Sequence, residues 1–202
     1  MNIEVENLDL SYEQCRELNN LSSNEGKKMV DDLIDDIKEL KNHWIGNDAT
    51  EHINHLIEVE NAMANLVDAS KKISSAAGDA VSSIQSIRKA NGGSGNVGEH
   101  LSSTPLDRIV ISKNELTDKY DVKPEAKNDY AKLEQICNDF ESLKSKYETQ
   151  KDALLSNWKS GADRELAVKC FDDFLSNADT YKKYLNDAKE NLGIAVSNMS
   201  QL

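Results

Sequence analysis

The sequence predicts an all-α fold: two tandem helical hairpins forming an elongated four-helix bundle. Three observations predict it. A heptad seam runs without a slip from Leu56 to Ile87, the same seam recurs 115 residues later, and a short break containing Trp and Gly precedes each copy.

The first seam is Leu56, Val59, Met63, Leu66, Ser70, Ile73, Ala77, Ala80, Ile84 and Ile87, spaced alternately by three and four residues. That alternation keeps one stripe on one side of a helix and predicts a long helix packed lengthwise against partners. Its middle thins to Ser70, Ala77 and Ala80, where a neighbouring helix can come close. The second copy is Phe171, Phe174, Ala178, Tyr181, Leu185, Ala188, Leu192, Ala195 and Met199. Nine positions in register at a fixed offset point to a duplicated unit.

A helix precedes each seam. Residues from about Ser11 to Asn42 carry the stripe Cys15, Leu18, Met29, Leu33, Ile37 and Leu40, and Ser11 with Gln14 has the spacing of a capping box. The polar stretch Asn19-Asn20 and Ser22 to Lys28 interrupts this stripe, and Gly26 is expected to kink or break the helix there. In the second half the equivalent stripe is Tyr130, Leu133, Cys137, Phe140, Leu143, Tyr147 and Leu154. Short connections between long amphipathic helices make them antiparallel neighbours.

The chain therefore divides into a first hairpin over residues 1–90, a connection over 91–125 and a second hairpin over 126–202. The connection opens with Asn91-Gly92-Gly93-Ser94-Gly95-Asn96-Val97-Gly98, a flexible linker by composition. It continues through Pro105, the β-branched Ile109-Val110-Ile111 and Pro124, which read as an extended strap over 104–125. An antiparallel pair of hairpins, with Trp44 and Trp158 at opposite ends, needs such a strap. A 40-residue helix is about 60 Å long, and residues 91–125 reach about 115 Å fully extended.

Composition narrows the function classes. The 202 residues are 38% hydrophobic and 30% charged, with only two prolines and 5% aromatics, the balance of a helix-rich chain with a thin core. A net charge of −12 with 24 basic residues dispersed among 36 acids opposes nucleic-acid binding and tight docking on an anionic membrane. No apolar run approaches spanning length, so stable membrane insertion is not expected. Met1-Asn2-Ile3-Glu4-Val5-Glu6-Asn7 has neither a basic patch nor an apolar core, so no ordinary signal peptide is read and export would be leaderless.

Cys15, Cys137 and Cys170 lack metal-ligand spacing. A hairpin turning near Trp158 places Cys170 opposite about residue 149, about 18 Å along the helix from Cys137. That separation excludes a disulfide between them. Asp48, His52 and His55 share one helical face and could hold a metal. His52 also continues the seam backward, where it simply packs, and that reading is preferred. No catalytic arrangement or phosphate loop appears, so neither an enzyme nor a cofactor is predicted. Asp31-Asp32 and Asp35-Asp36 read as a solvated outer face.

The two breaks are His43-Trp44-Ile45-Gly46-Asn47-Asp48 and Asn157-Trp158-Lys159-Ser160-Gly161-Ala162-Asp163. Trp covers the apolar end of the seam, and Gly permits the reversal of the backbone. On these residues the chain resembles the WXG family, the small secreted helical hairpins of type VII secretion systems. Trp44-Ile45-Gly46 matches the motif, while Trp158-Lys159-Ser160-Gly161 carries one extra residue. The resemblance covers residues 6–90 and 126–200, as a hairpin pair fused into one chain.

The resemblance implies leaderless export, with the protein cytoplasmic beforehand, and protein partners such as a type VII export ATPase or a toxin. The chain would be a secreted substrate or a toxin's targeting partner, with Trp44, Gly46, Trp158 and Gly161 as turn and recognition residues. It implies hairpin pairing within the chain and leaves oligomers open. The family's export signal is a Tyr followed four residues later by Asp or Glu. Tyr184 and Asp187 are one residue short of it, and Tyr130 with Glu134 has the spacing but lies inside a predicted helix. Two rival readings are the helical targeting half of a longer toxin and a coiled-coil spacer without an export role.

Overall fold

A computed structural model describes residues 7–158 and 162–199. The protein is all-α. Its elements are α1 (Leu8–Leu21), a π-helical turn (Ser22–Gly26), α2 (Lys27–His43), β1 (Trp44–Ile45), α3 (Asn47–Ala90), β2 (Asp121–Val122), α4 (Ala126–Asn157), α5 (Ala162–Leu175) and α6 (Ala178–Met199).

The chain forms two compact units, each drawing on both predicted hairpins. One comprises Met1–Lys27, Asn65–Leu106 and Lys144–Ser176, the other Lys28–Ala64, Asp107–Leu143 and Asn177–Leu202. They are called here the Trp158 unit and the Trp44 unit after the tryptophan each contains.

In the Trp158 unit, α1, the later part of α3, the end of α4 and α5 surround a core that includes Leu18, Leu66, Tyr147 and Phe171, all fully buried. The Tyr147 and Phe171 rings meet at 6.4 Å and 50°. Burying each such side chain is worth about 1.5–3 kcal/mol. α1 starts earlier than the capping-box spacing predicts. Asn7 is the N-cap, and its side-chain oxygen accepts from Leu10 N at 3.1 Å, so Ser11 and Gln14 lie buried within the helix. Asn is as strong a cap as Ser, and it lets one more apolar turn form.

The helix does not break at Gly26. The ladder widens into a single π turn over Ser22–Gly26, with helical dihedrals in the residues on both sides. Within the polar stretch Asn19 and Ser22 face inward, and each finds a partner, while Asn20, Asn24, Glu25, Lys27 and Lys28 stay exposed. Tyr147 Oη donates to Ser22 Oγ at 3.1 Å, and Asn19 Nδ2 donates to Ser74 Oγ and to Ser102 O, each at 2.9 Å. A β-carbon on Gly26 would stand 2.5 Å from Tyr147 Oη and 2.7 Å from Val67 Cγ2. Glycine is there for close approach.

The α3 seam is buried through Ala77, but Ala80 is only half-buried and Ile87 is 63% exposed. Val81 and Gln85 take the inner positions, one residue later on the helix. A straight helix drifts against a strict heptad, and the connection anchors the shifted face. Gln85 Oε1 accepts from Gly98 N at 3.0 Å, and its amide donates to Asp9.

In the Trp44 unit, α2, the first part of α3, the first part of α4 and α6 enclose Leu33, Ile37, Leu40, Ile53, Leu56 and Leu133. The second seam is buried at Phe171, Phe174, Ala178, Leu185, Ala188, Leu192 and Ala195. Its helix is interrupted at Ser176 and Asn177, where i→i−4 bonds to Asp172 and from Tyr181 carry the ladder into and out of the turn.

Residues 98–120 are extended and lie beside α3 in each unit, meeting it from Gly98 rather than from 104. α3 side chains satisfy the strap's backbone. In the Trp158 unit, Asp68 Oδ1 accepts from Leu106 N at 2.7 Å. In the Trp44 unit, Asn54 bonds both Asn114 N (2.7 Å) and Asn114 O (3.1 Å), and Asn47 Oδ1 accepts from Thr117 N at 3.0 Å.

Candidate functional site

The Trp44 turn is closed by a two-residue antiparallel ladder. Trp44 pairs with Val122 and Ile45 with Asp121, and Lys123 N donates to His43 O at 2.8 Å. Gly46 then takes φ +151, where a side chain is strained, and a β-carbon there would also crowd the Tyr120 ring at 3.1 Å. Its carbonyl accepts from Thr50 N at 2.9 Å and starts α3.

Trp44 is only 3% exposed, with its ring stacked on His52 at 5.7 Å and 9°. A turn-end tryptophan reads as a partly open recognition surface from sequence. Its burial and its stack on His52 make its packing internal instead.

Trp158 is likewise buried, at 4% exposure, and its carbonyl accepts from Arg164 Nε at 2.6 Å. It lines a narrow cavity in the Trp158 unit with Ser11, Gln14, Cys15, Ala77, Val81, Leu154 and Asn157. The indole Nε1 and Ser11 Oγ are buried there without a hydrogen-bond partner among the described residues. Gly161, with Lys159 and Ser160, lies outside the described residues.

Of the export-signal residues, all four are in the Trp44 unit. Tyr184 is half-buried and stacks on His55 at 4.0 Å and 1°, so its ring face is occupied. Asp187 is half-exposed, and its backbone carbonyl accepts from Asn191. Tyr130 lies on Gly193, where a β-carbon would come within 2.9 Å of its ring, and Glu134 beside it is exposed.

The same stacking decides the histidines. His52 faces Trp44 and His55 faces Tyr184. Burial holds the His52 imidazole below its ordinary value, against the pull of Glu51 and Asp187. Among the described residues no group of three or more His, Cys, Asp or Glu is placed to hold a metal, and no helix is long and apolar enough to cross a membrane. Cys15, Cys137 and Cys170 are free thiols, with burial raising Cys15 to about 12 and the others to about 11.

One residue departs from its sequence reading in a way that bears on chemistry. Asp36, assigned to a solvated face, is 1% exposed. It lies three residues after Leu33 and four before Leu40, so it shares the 3–4 spacing of the buried stripe. That spacing was the available signal. The paired-acid pattern Asp35-Asp36 masked it, although Asp35 is exposed as expected.

No family model, curated protein or solved structure matches this chain.

Proposed function

We propose that this chain is a type VII secretion-associated binding protein, a secreted substrate or the targeting partner of a toxin, acting through helix faces and not by catalysis. The observation that carries the reading is the Trp44-Ile45-Gly46 turn. It joins two long helices, uses its glycine at a positive φ and buries its tryptophan at the hairpin's end. A second Trp break before a copy of the same seam supports a tandem pair.

The burial of both indoles moves the recognition surface off the tryptophans. Helix faces carrying Tyr130, Glu134 and Asp187 would meet the partner, an export ATPase or a toxin. The Trp turns would set the angle at which those faces are presented.

The test is export from the native host with and without its type VII ATPase. The expected result is protein in the culture medium that disappears when the ATPase gene is deleted. Equal release from both strains, or retention in both with no toxin recovered by crosslinking and mass spectrometry, rejects the proposal.

A further inference from the structure

Asp36 is poorly provided for in the Trp44 unit. It stands on α2 between the fully buried Leu33 and Leu40, and neither carboxylate oxygen has a hydrogen-bond partner among the described residues. α4 brings Asp129 within electrostatic reach, also 1% exposed. Asp129 Oδ2 meets His43 Nδ1 at 2.7 Å, and the Glu39 carboxyl of α2 also lies against Asp129.

The charges acting on Asp36, among the described residues, are Asp129 and Lys132 from α4 and Glu39 from α2. Lys132 is paired with Glu39. The Cys137 thiol of α4 also feels Asp36, and Lys189 of α6 acts on that thiol. One ammonium, Lys132, thus faces three acids, Glu39, Asp129 and Asp36, and His43 acts on Asp129 and Glu39 but not on Asp36.

An ionised carboxylate without donors is among the most expensive groups to bury, and a second acid nearby compounds the cost. The alternative is to keep the proton. We propose that Asp36 is a proton-operated latch of the Trp44 unit: with its proton, α2 seats against α4, and without it Asp36 repels Asp129 and that seat loosens.

Burial first, then Asp129, pushes the Asp36 carboxyl up to about 8, with Lys132 opposing. Free Asp releases its proton near pH 4. Between those values the folded chain holds one proton more than the unfolded chain. The stability this group contributes is therefore full below about pH 4, is lost as pH rises, and falls no further once pH passes about 8.

The experiment is urea unfolding of the full chain from pH 5 to pH 9 in a Trp158→Phe background. Trp44 is then the sole tryptophan and reports on its own unit. The unfolding constant should rise by up to about tenfold per pH unit between pH 5 and 8. Asp36→Asn should flatten that profile by the same one-proton slope. Equal slopes with and without the substitution overturn the latch. If Asp36→Asn does not fold, the carboxyl ¹³C titration of Asp36 in the unsubstituted chain decides. A midpoint near 8 supports the latch, and one in the ordinary carboxylate range of about 3–5 overturns it.

Discussion

The two units solve the same packing problem with different buried chemistry. In the Trp158 unit the buried polar residues are Ser11, Gln14, Asn19, Ser22, Ser70, Ser74, Ser75 and Gln85, neutral groups with Lys71 the one charge among those described. In the Trp44 unit they are Thr50 and three acids, Asp36, Glu60 and Asp129. Small hydroxyls and amides let helices approach and satisfy one another directly, as Asn19 does with Ser74. Buried carboxylates need a cation or a proton. One unit is built for close fit, and the other carries a dependence on pH.

The largest test of that comparison is Trp44→Ala against Trp158→Ala. Both indoles are buried, so each substitution is expected to cost about 3–5 kcal/mol in urea unfolding followed by circular dichroism. A loss below about 1 kcal/mol at Trp44 would return it to the role of an exposed recognition residue.

Glycine substitutions come next. Gly26→Ala drives a methyl against Tyr147 and Val67, an overpacking cost of about 1–3 kcal/mol. Gly46→Ala keeps more room but forces a side chain to φ +151, a strain of about 1–3 kcal/mol. Removing the hydroxyl with Tyr147→Phe should recover part of the Gly26→Ala loss, Val67 still crowding the methyl, and leave Gly46→Ala unchanged. Rescue of both, or of neither, breaks the distinction between close approach and backbone strain.

Glu60 sharpens the electrostatic half. Burial raises its carboxyl and Arg108, 3.5 Å away, pulls it back. Because the folded value is raised, the stability it contributes is present at low pH and is lost as pH rises through that value. Glu60→Gln should reduce the pH dependence of the Trp44 unit in the same direction as Asp36→Asn, and by less. A steeper profile would overturn the assignment.

The smallest effects belong to exposed ion pairs. Lys146–Glu25 in the Trp158 unit and Lys113–Glu58 in the Trp44 unit span 2.5 and 2.6 Å at the surface. Removing either lysine should change stability by less than about 1 kcal/mol, with no difference between units. A larger loss at Lys113 would mean that the strap is held by charge and not by the Asn54 bonds.

Much of this architecture was legible in the chain. Leu33, Ile37, Leu56, Phe171 and Leu192 are buried where their spacing places them, because a helical period of 3.6 survives any tertiary context that buries one stripe. The turn at Trp44 was legible for a local reason, since Gly46 alone can take its backbone angle without strain. Asp36 was misread because pairing with Asp35 suggests water, whereas its phase with Leu33 and Leu40 puts it inside.

The sequence by itself determined the long helices, the breaks at Trp44 and Trp158 and most of the stripe that each helix buries, all set by interactions among residues a few positions apart. The interruption at Ser176 and Asn177 was not legible in it. Tertiary structure alone decided the rest. The π turn at Ser22–Gly26 packs against Tyr147, more than a hundred residues away, and Trp44 pairs its backbone with a strand at the end of the strap. The inward slide from Ile84 to Gln85 follows from Gly98. The raised carboxyl of Asp36 follows first from its burial in the packed unit and then from Asp129 on α4, with Lys132 opposing. Local spacing says which face turns inward, but the groups waiting there, and the water they exclude, belong to distant parts of the chain.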